Sequence, residues 1–155
     1  MKTGEQRFTI HPAAAADVAE LARLFDQYRI FYKQRSDLRA TEQFVAAQIQ
    51  NGVTRFFLAK AAEEGALGFV HLIPSIGTLA MRPIWYLEDL FVAPPARRQG
   101  IARALMLHAE QFARESGAER LTLSTAHDNQ AAQALYRSVG YVREEYFWQF
   151  NRRLS

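Results

Sequence analysis

The chain has 155 residues, a formal charge of +3 and no cysteine. That length suits a single domain, residues 1–155, with a real hydrophobic core. The missing cysteine excludes disulfides, thiolate metal sites and a cysteine acyl-enzyme, and the mild charge permits an acidic ligand without demanding nucleic acid. Met1 to Arg7 is polar, and no apolar run is long enough to cross a bilayer, so the expectation is a cytoplasmic protein with no membrane partner. His11, His71, His108 and His127 show no ligand spacing, so no metal is expected.

Phe8 to Ile10 is a short strand candidate. Asp17 to Tyr32 reads as a helix, because Val18, Leu21, Ala22, Phe25 and Tyr28 recur at three and four. The chain breaks near Ser36, and a second helix runs from a Thr41 cap to Asn51, with Gly52 as its stop. Arg55 to Ala61 and Ala66 to Ile73 read as a hairpin around Glu63-Glu64-Gly65. Pro74 to Pro83 reads as a loop and Ile84 to Val92 as a strand. A helix from Gly100 to Ser116, a strand from Arg120 to Thr125 and a short helix from Asp128 or Asn129 to Gly140 follow. Tyr141 to Phe150 reads as one or two final strands. The order implies an α/β domain with a mixed sheet.

Leu87 to Met106, LEDLFVAPPARRQGIARALM, carries the most chemistry. Pro94 and Pro95 end the apolar strand, because proline has no donor for the ladder. Ile101, Ala104, Leu105, His108, Ala109 and Phe112 then share one helical face. The first amides of that helix have no intrahelical acceptors and hold the positive end of the macrodipole. Gly100 allows close backbone approach, and Ala102 adds little bulk. Arg97, Arg98 and Arg103 oppose the dipole, so a fold with no anion to bind gains little from them there. A pyrophosphate fits such a site. The loop has neither the Gly-Lys-Ser/Thr of a Walker loop nor the glycine spacing of a dinucleotide fold.

Arg97-x-x-Gly100-x-Ala102 resembles the (Arg/Gln)-x-x-Gly-x-(Gly/Ala) motif of the GCN5-related N-acetyltransferase (GNAT) superfamily. The resemblance implies a GNAT-type mixed, mostly antiparallel central sheet flanked by helices on both faces. It implies acetyl-CoA as acetyl donor, with its pyrophosphate on the amides and side chains of Arg97, Arg98, Gln99, Gly100, Ile101, Ala102 and Arg103. Its pantetheine arm would pair with the backbone of Leu90, Phe91 and Val92, and an amide near Leu90 or Phe91 would hold the oxyanion.

Asn129 and Tyr136 are seven apart, two helical turns on one face. Singly, they read as a helix cap and a half-buried aromatic. The run from Asn129 to Tyr141 is similar to the GNAT block Asn-x-x-Ala-x-x-x-Tyr-x-x-x-Gly-(Phe/Tyr). That similarity implies that Asn129 lies along the cofactor arm and that Tyr136 protonates the leaving thiolate. A phenol with an ordinary pKa of about 10 still holds that proton at neutral pH.

Tyr86-Leu87-Glu88-Asp89 resembles a segment of the polyamine acetyltransferase branch, where the glutamate stands at the substrate end. Three roles stay open for Glu88: general base, substrate anchor, or a strand-end charge in a structural hydrogen bond. Adjacent strand residues face opposite ways, so one of Glu88 and Asp89 would face substrate unless a bulge intervenes. Tyr28, Phe31 and Tyr32 fall where GNATs build the acceptor pocket, with Trp85, Tyr86, Tyr146 and Trp148 as further candidate walls. Aromatics beside acids suit a cationic amine. Similarity to the HPA2-like histone and polyamine acetyltransferases implies a polyamine, a lysine-like amine or a basic protein tail as acceptor, and a homodimer paired through C-terminal strands. Two other readings are a non-catalytic acyl-CoA sensor on the same fold and a nucleic-acid module. Arg152-Arg153 and the loop arginines alone support the second, with no stacking platform between them.

Overall fold

The computed structural model describes residues 7–154. Its elements are β1 (Thr9–Pro12), α1 (Val18–Phe31), α2 (Leu38–Asn51), β2 (Arg55–Ala61), β3 (Gly65–Gly77), β4 (Arg82–Val92), α3 (Ile101–Glu115), β5 (Leu121–Thr122) and α4 (Gln130–Ser138). Two compact units emerge, Met1–Ser124 and Thr125–Ser155, and each is described by itself. In the first unit the strands pair in the order β1-β2-β3-β4-β5. All pairings are antiparallel except β4 with β5. The sheet is therefore mixed and mostly antiparallel, as expected. Among the described residues no helix is long and apolar enough to cross a membrane.

Helices cover both faces of the sheet because adjacent strand residues point to opposite sides. Phe56 joins Leu21, Leu24 and Phe25 of α1, Val45 of α2, and Leu58, Phe69 and Phe91 of the sheet in one buried cluster. Its neighbour Phe57 turns to α3, with ring centroids 4.7 Å from His108 and 5.2 Å from Phe112. Burial of each such leucine or phenylalanine contributes about 1.5–3 kcal/mol. Burial also pushes the His108 imidazole below its ordinary value.

Four sequence expectations are corrected. Thr41 does not cap α2: Asp37 does, its Oδ1 accepting from the Ala40 amide at 3.0 Å. Thr41 is instead buried in the first turn, its hydroxyl donating to the Asp37 carbonyl at 2.8 Å. Pro74 to Pro83 is not a loop. Pro74 pairs with Trp85 and Gly77 with Arg82, leaving only a short turn. Proline is tolerated in β3 there because pairing with β2 stops at Arg55 opposite Leu72, leaving one edge open. The strand expected over Arg120 to Thr125 shrinks to Leu121–Thr122. Tyr141 to Phe150 forms no strand; Val142, Tyr146, Phe147, Trp148 and Phe150 are exposed, with no sheet partner among the described residues. The Gly52 stop is present as expected, in the left-handed region at φ 65°.

The α1–α2 connection is tied down by one buried carboxylate. Asp26 accepts from the Ser36 hydroxyl at 2.6 Å and the Asp37 amide at 2.9 Å, with Arg29 at 3.7 Å. The Ser36 hydrogen bond, with these others, holds its carboxyl below the usual aspartate range despite burial. A depressed folded pKa gives stability that is full above the unfolded value of about 3.9 and fades as pH falls through the folded one. Asp26→Asn should therefore cost about 1–3 kcal/mol at pH 7, and the gap from the unsubstituted protein should close as pH drops below about 4. Urea unfolding at both pH values checks this.

Candidate active site

β4 is the spine of the site. It pairs with β3 from Arg82 to Val92, but with β5 only at Trp85 and Tyr86. Among the described residues, Leu87 to Val92 therefore have a strand neighbour on one side and an open edge on the other. Leu90, Phe91 and Val92 lie on that edge. An extended ligand arm can pair with such an edge as an added strand would.

The edge leads, through the Pro94–Ala96 turn, to the start of α3. Gly100 caps the helix at φ 78°, and no side chain caps it. A Cβ on Gly100 would meet no protein atom, so the backbone conformation, rather than crowding, calls for glycine. Arg98 also has a left-handed φ of 62°, an uncommon state for a side-chain-bearing residue that costs roughly 1–3 kcal/mol and concentrates at ligand sites. Arg98, Gln99 and Arg103 are exposed, Ala102 is half-buried, and Ile101 is buried and anchors the helix. Arg97 turns back: its Nε donates to the Val92 carbonyl at 3.0 Å. Its guanidinium carbon stands 5.7 Å from the Phe31 ring centre and 5.6 Å from that of Phe91.

A bulge interrupts β4 where the acids lie. His71 pairs with Asp89 and Leu72 with Leu87, so Glu88 has no cross-strand partner. The extra residue breaks strict alternation. Both carboxylates act on the Tyr28 hydroxyl, which is held well above the ordinary tyrosine value. Burial is the largest cause, followed by the charge and hydrogen bond of Asp89, the charge of Tyr32 and that of Glu88. The aromatic expectations converge here too. Tyr28 lies 5.0 Å from Tyr32 and 6.0 Å from Phe91, and Phe31 lies 5.2 Å from Tyr32. Tyr28, Phe31, Tyr32 and Arg97 thus meet at the C-terminal end of α1, and the charge of Glu88 acts on Tyr28.

Trp85 is corrected as an acceptor wall: its ring packs 5.1 Å from Phe112, and its Nε1 donates to Ser116 Oγ at 2.9 Å, on the α3 face. The sequence reading missed His71, whose Nδ1 stands 2.8 Å from Asp89 Oδ2. Its signal was a lone polar residue in the apolar run Gly68-Phe-Val-His-Leu-Ile73.

In the second unit, Asn129 caps α4, its Oδ1 accepting from the Ala132 amide at 3.2 Å. Tyr136 is half-buried, its ring 6.2 Å from that of Tyr141.

Burial and neighbouring negative charge both oppose the Tyr28 phenolate, so Tyr28 should stay protonated while ordinary tyrosines ionise near pH 10. Absorbance titration to pH 11 should give the same phenolate count for Tyr28→Phe as for the unsubstituted protein. A count lower by one in the variant would contradict this environment.

The "Acetyltransferase (GNAT) family" model matches residues 18–141. The "Uncharacterized N-acetyltransferase YhfO" of Bacillus subtilis (strain 168) is 39% identical over 138 residues, covering 89% of this chain and 92% of that protein. The "Thialysine N-epsilon-acetyltransferase" of Caenorhabditis elegans is 28% identical, over 88% of this chain and 84% of that one. A solved structure of "a probable acetyltransferase" superposes with a TM-score of 0.90 at 36% identity, over 95% of this chain and 98% of the other.

Proposed function

The chain belongs to the GNAT acetyltransferase family, and we propose that it moves an acetyl group from acetyl-CoA to a primary amine by direct attack in a ternary complex. The observation that carries this reading is the open β4 edge running into an uncapped helix start. One suits a peptide-like arm and the other a pyrophosphate. Leu90, Phe91 and Val92 pair with the pantetheine arm through their backbone. Arg97, Arg98, Gln99, Gly100, Ile101, Ala102 and Arg103 hold the pyrophosphate. An amide near Leu90 or Phe91 stabilises the oxyanion. Asn129 lies along the arm.

The acceptor enters beside Tyr28, Phe31 and Tyr32, with Glu88 as its base or anchor. An ammonium has no lone pair, so it loses a proton before it attacks the thioester carbon. The tetrahedral intermediate collapses with loss of the thiolate, and Tyr136 protonates the sulfur. Two carboxylates among aromatic rings favour a cationic acceptor: a polyamine, a lysine-like amine or a basic protein tail, as in the HPA2-like branch. The activity printed for the Caenorhabditis elegans relative, on thialysine, lies within that range. The exposed side chains of Val142, Tyr146, Phe147, Trp148 and Phe150 support pairing of two copies through this segment, in a cytoplasmic homodimer.

Thiol release from acetyl-CoA, measured over spermidine, spermine, thialysine, aminoglycosides, amino acids and a basic histone-tail peptide, tests the reading. A cationic amine should turn over. Tyr136→Phe should lower kcat about 100-fold or more, as loss of a general acid does. Gly100→Val should raise the KM for acetyl-CoA about tenfold, through backbone strain at the anion site. Tight acetyl-CoA binding with no turnover on any amine would favour an acyl-CoA sensor, and no binding at all would overturn the cofactor site.

A further inference from the structure

Asp89 differs from Glu88 in almost every respect. Glu88 is exposed and has no cross-strand partner. Asp89 has a side chain only 12% exposed and is held by His71. His71 approaches Oδ2 at 2.8 Å from β3, and the charge of the same carboxylate acts on the Tyr28 hydroxyl of α1. A carboxylate so fixed has lost its rotamer freedom and part of its hydration before any ligand arrives, and preorganisation of this kind strengthens recognition of a cation.

His71 carries a cost that packing alone does not explain. It is 3% exposed, its ring stacks on Phe56 at 3.9 Å with planes 4° apart, and its Nε2 is buried with no hydrogen-bond partner. A buried unmet polar atom costs about 1–3 kcal/mol, and an apolar residue here would avoid it. With Nδ1 donating to Asp89, Nε2 keeps a bare lone pair, and a proton there would be a buried donor with no acceptor. The arrangement thus gives Asp89 a hydrogen bond without cancelling its charge. The charge of Asp89 also raises the pKa of the Tyr28 hydroxyl, and the Tyr28 ring lies 5.0 Å from Tyr32 and 6.0 Å from Phe91.

We propose that Asp89 is the carboxylate that receives the acceptor's ammonium group, and that His71 is the positioning residue that aims it. This division of labour rests on the amine-acetyltransferase reading, and it leaves the exposed Glu88 to take the proton and pass it to solvent. The balance is simple. One N–H proton of the ammonium goes to Glu88 and then to water. The nitrogen lone pair forms the C–N bond, and the C–S bond breaks. The second nitrogen proton is lost as the sulfur leaves as thiol. Asp89 holds the nitrogen through the first of these steps and is not itself consumed.

The test is calorimetric binding of thialysine and of spermidine to protein saturated with desulfo-coenzyme A, beside steady-state kinetics with the same amines. Binding does not depend on turnover, so failure of the acetyltransferase reading and failure of this inference are separable. Asp89→Asn should weaken amine binding about 10–100-fold, as loss of a desolvated charge partner does. The KM for acetyl-CoA should stay within about twofold, because the Leu90–Val92 edge and the helix start are untouched. His71→Asn keeps a donor near the Nδ1 position and should bind amine within about threefold of the unsubstituted protein, whereas His71→Leu should match Asp89→Asn. If Asp89→Asn folds poorly, the contrast between the two His71 variants carries the test. Unchanged amine affinity in Asp89→Asn or in His71→Leu would overturn the proposal. So would equal losses in both His71 variants with a parallel fall in melting temperature and in acetyl-CoA affinity, or an unsubstituted protein that binds neither amine.

Discussion

A strand inside a sheet ordinarily satisfies its backbone groups on both sides, and β4 does so only over Trp85 and Tyr86. The cofactor site proposed for the first unit follows from that partial pairing. β5 leaves after two residues, so the backbone from Leu87 onward turns one row of donors and acceptors to whatever lies beside it. Exposed edges are normally blunted against stray pairing. Here the edge is short, ends at Pro94 and Pro95, and runs into a helix start that has no side-chain cap. The fold holds the one-sided edge and the helix start in sequence-adjacent positions by burying Phe91 and Val92 on one side of the turn and Ile101 and Leu105 on the other.

The bulge at Glu88 is the second constraint. A regular strand would place only one of Glu88 and Asp89 on the α1 side. The extra residue lets both act on the Tyr28 hydroxyl. The two acids then stand in different states, Glu88 exposed, Asp89 half-buried and held by His71. The aromatic corner depends on α1 ending at Phe31, because the aromatic side chains of its last turn and of Tyr32 stand there. Asp26 fixes that end through Ser36 and Asp37, which ties the stability of the α1–α2 connection to the shape of the aromatic corner.

Much of this was legible in the sequence, for physical reasons. The α1 and α3 patterns are amphipathic with clear stops, and Arg97-x-x-Gly100-x-Ala102 names a helix start whose glycine takes the left-handed φ expected of it. Tyr28, Phe31 and Tyr32 were expected to group, and their rings do, whereas the bulge at Glu88 was visible only as a possibility. Other features left no local signature. Pro74 and Pro83 signal a loop, and only the open edge of β3 explains why a strand tolerates Pro74. Trp85 is as aromatic as Tyr86, and which one faces α3 depends on register. The alternation over Tyr141 to Phe150 promises strands, yet strand formation needs a partner, and among the described residues none pairs with it. The His71–Asp89 contact joins residues 18 apart and depends on a cross-strand register that composition cannot supply.

The central claim is that the open β4 edge and the α3 start together receive acetyl-CoA. Hydrogen–deuterium exchange with and without saturating acetyl-CoA addresses those amides directly. The account predicts slowed exchange in peptides covering Leu87–Val92 and Gln99–Ala104, with β1 and β2 unchanged. Saturable binding that leaves both segments exchanging at their free rates would contradict it.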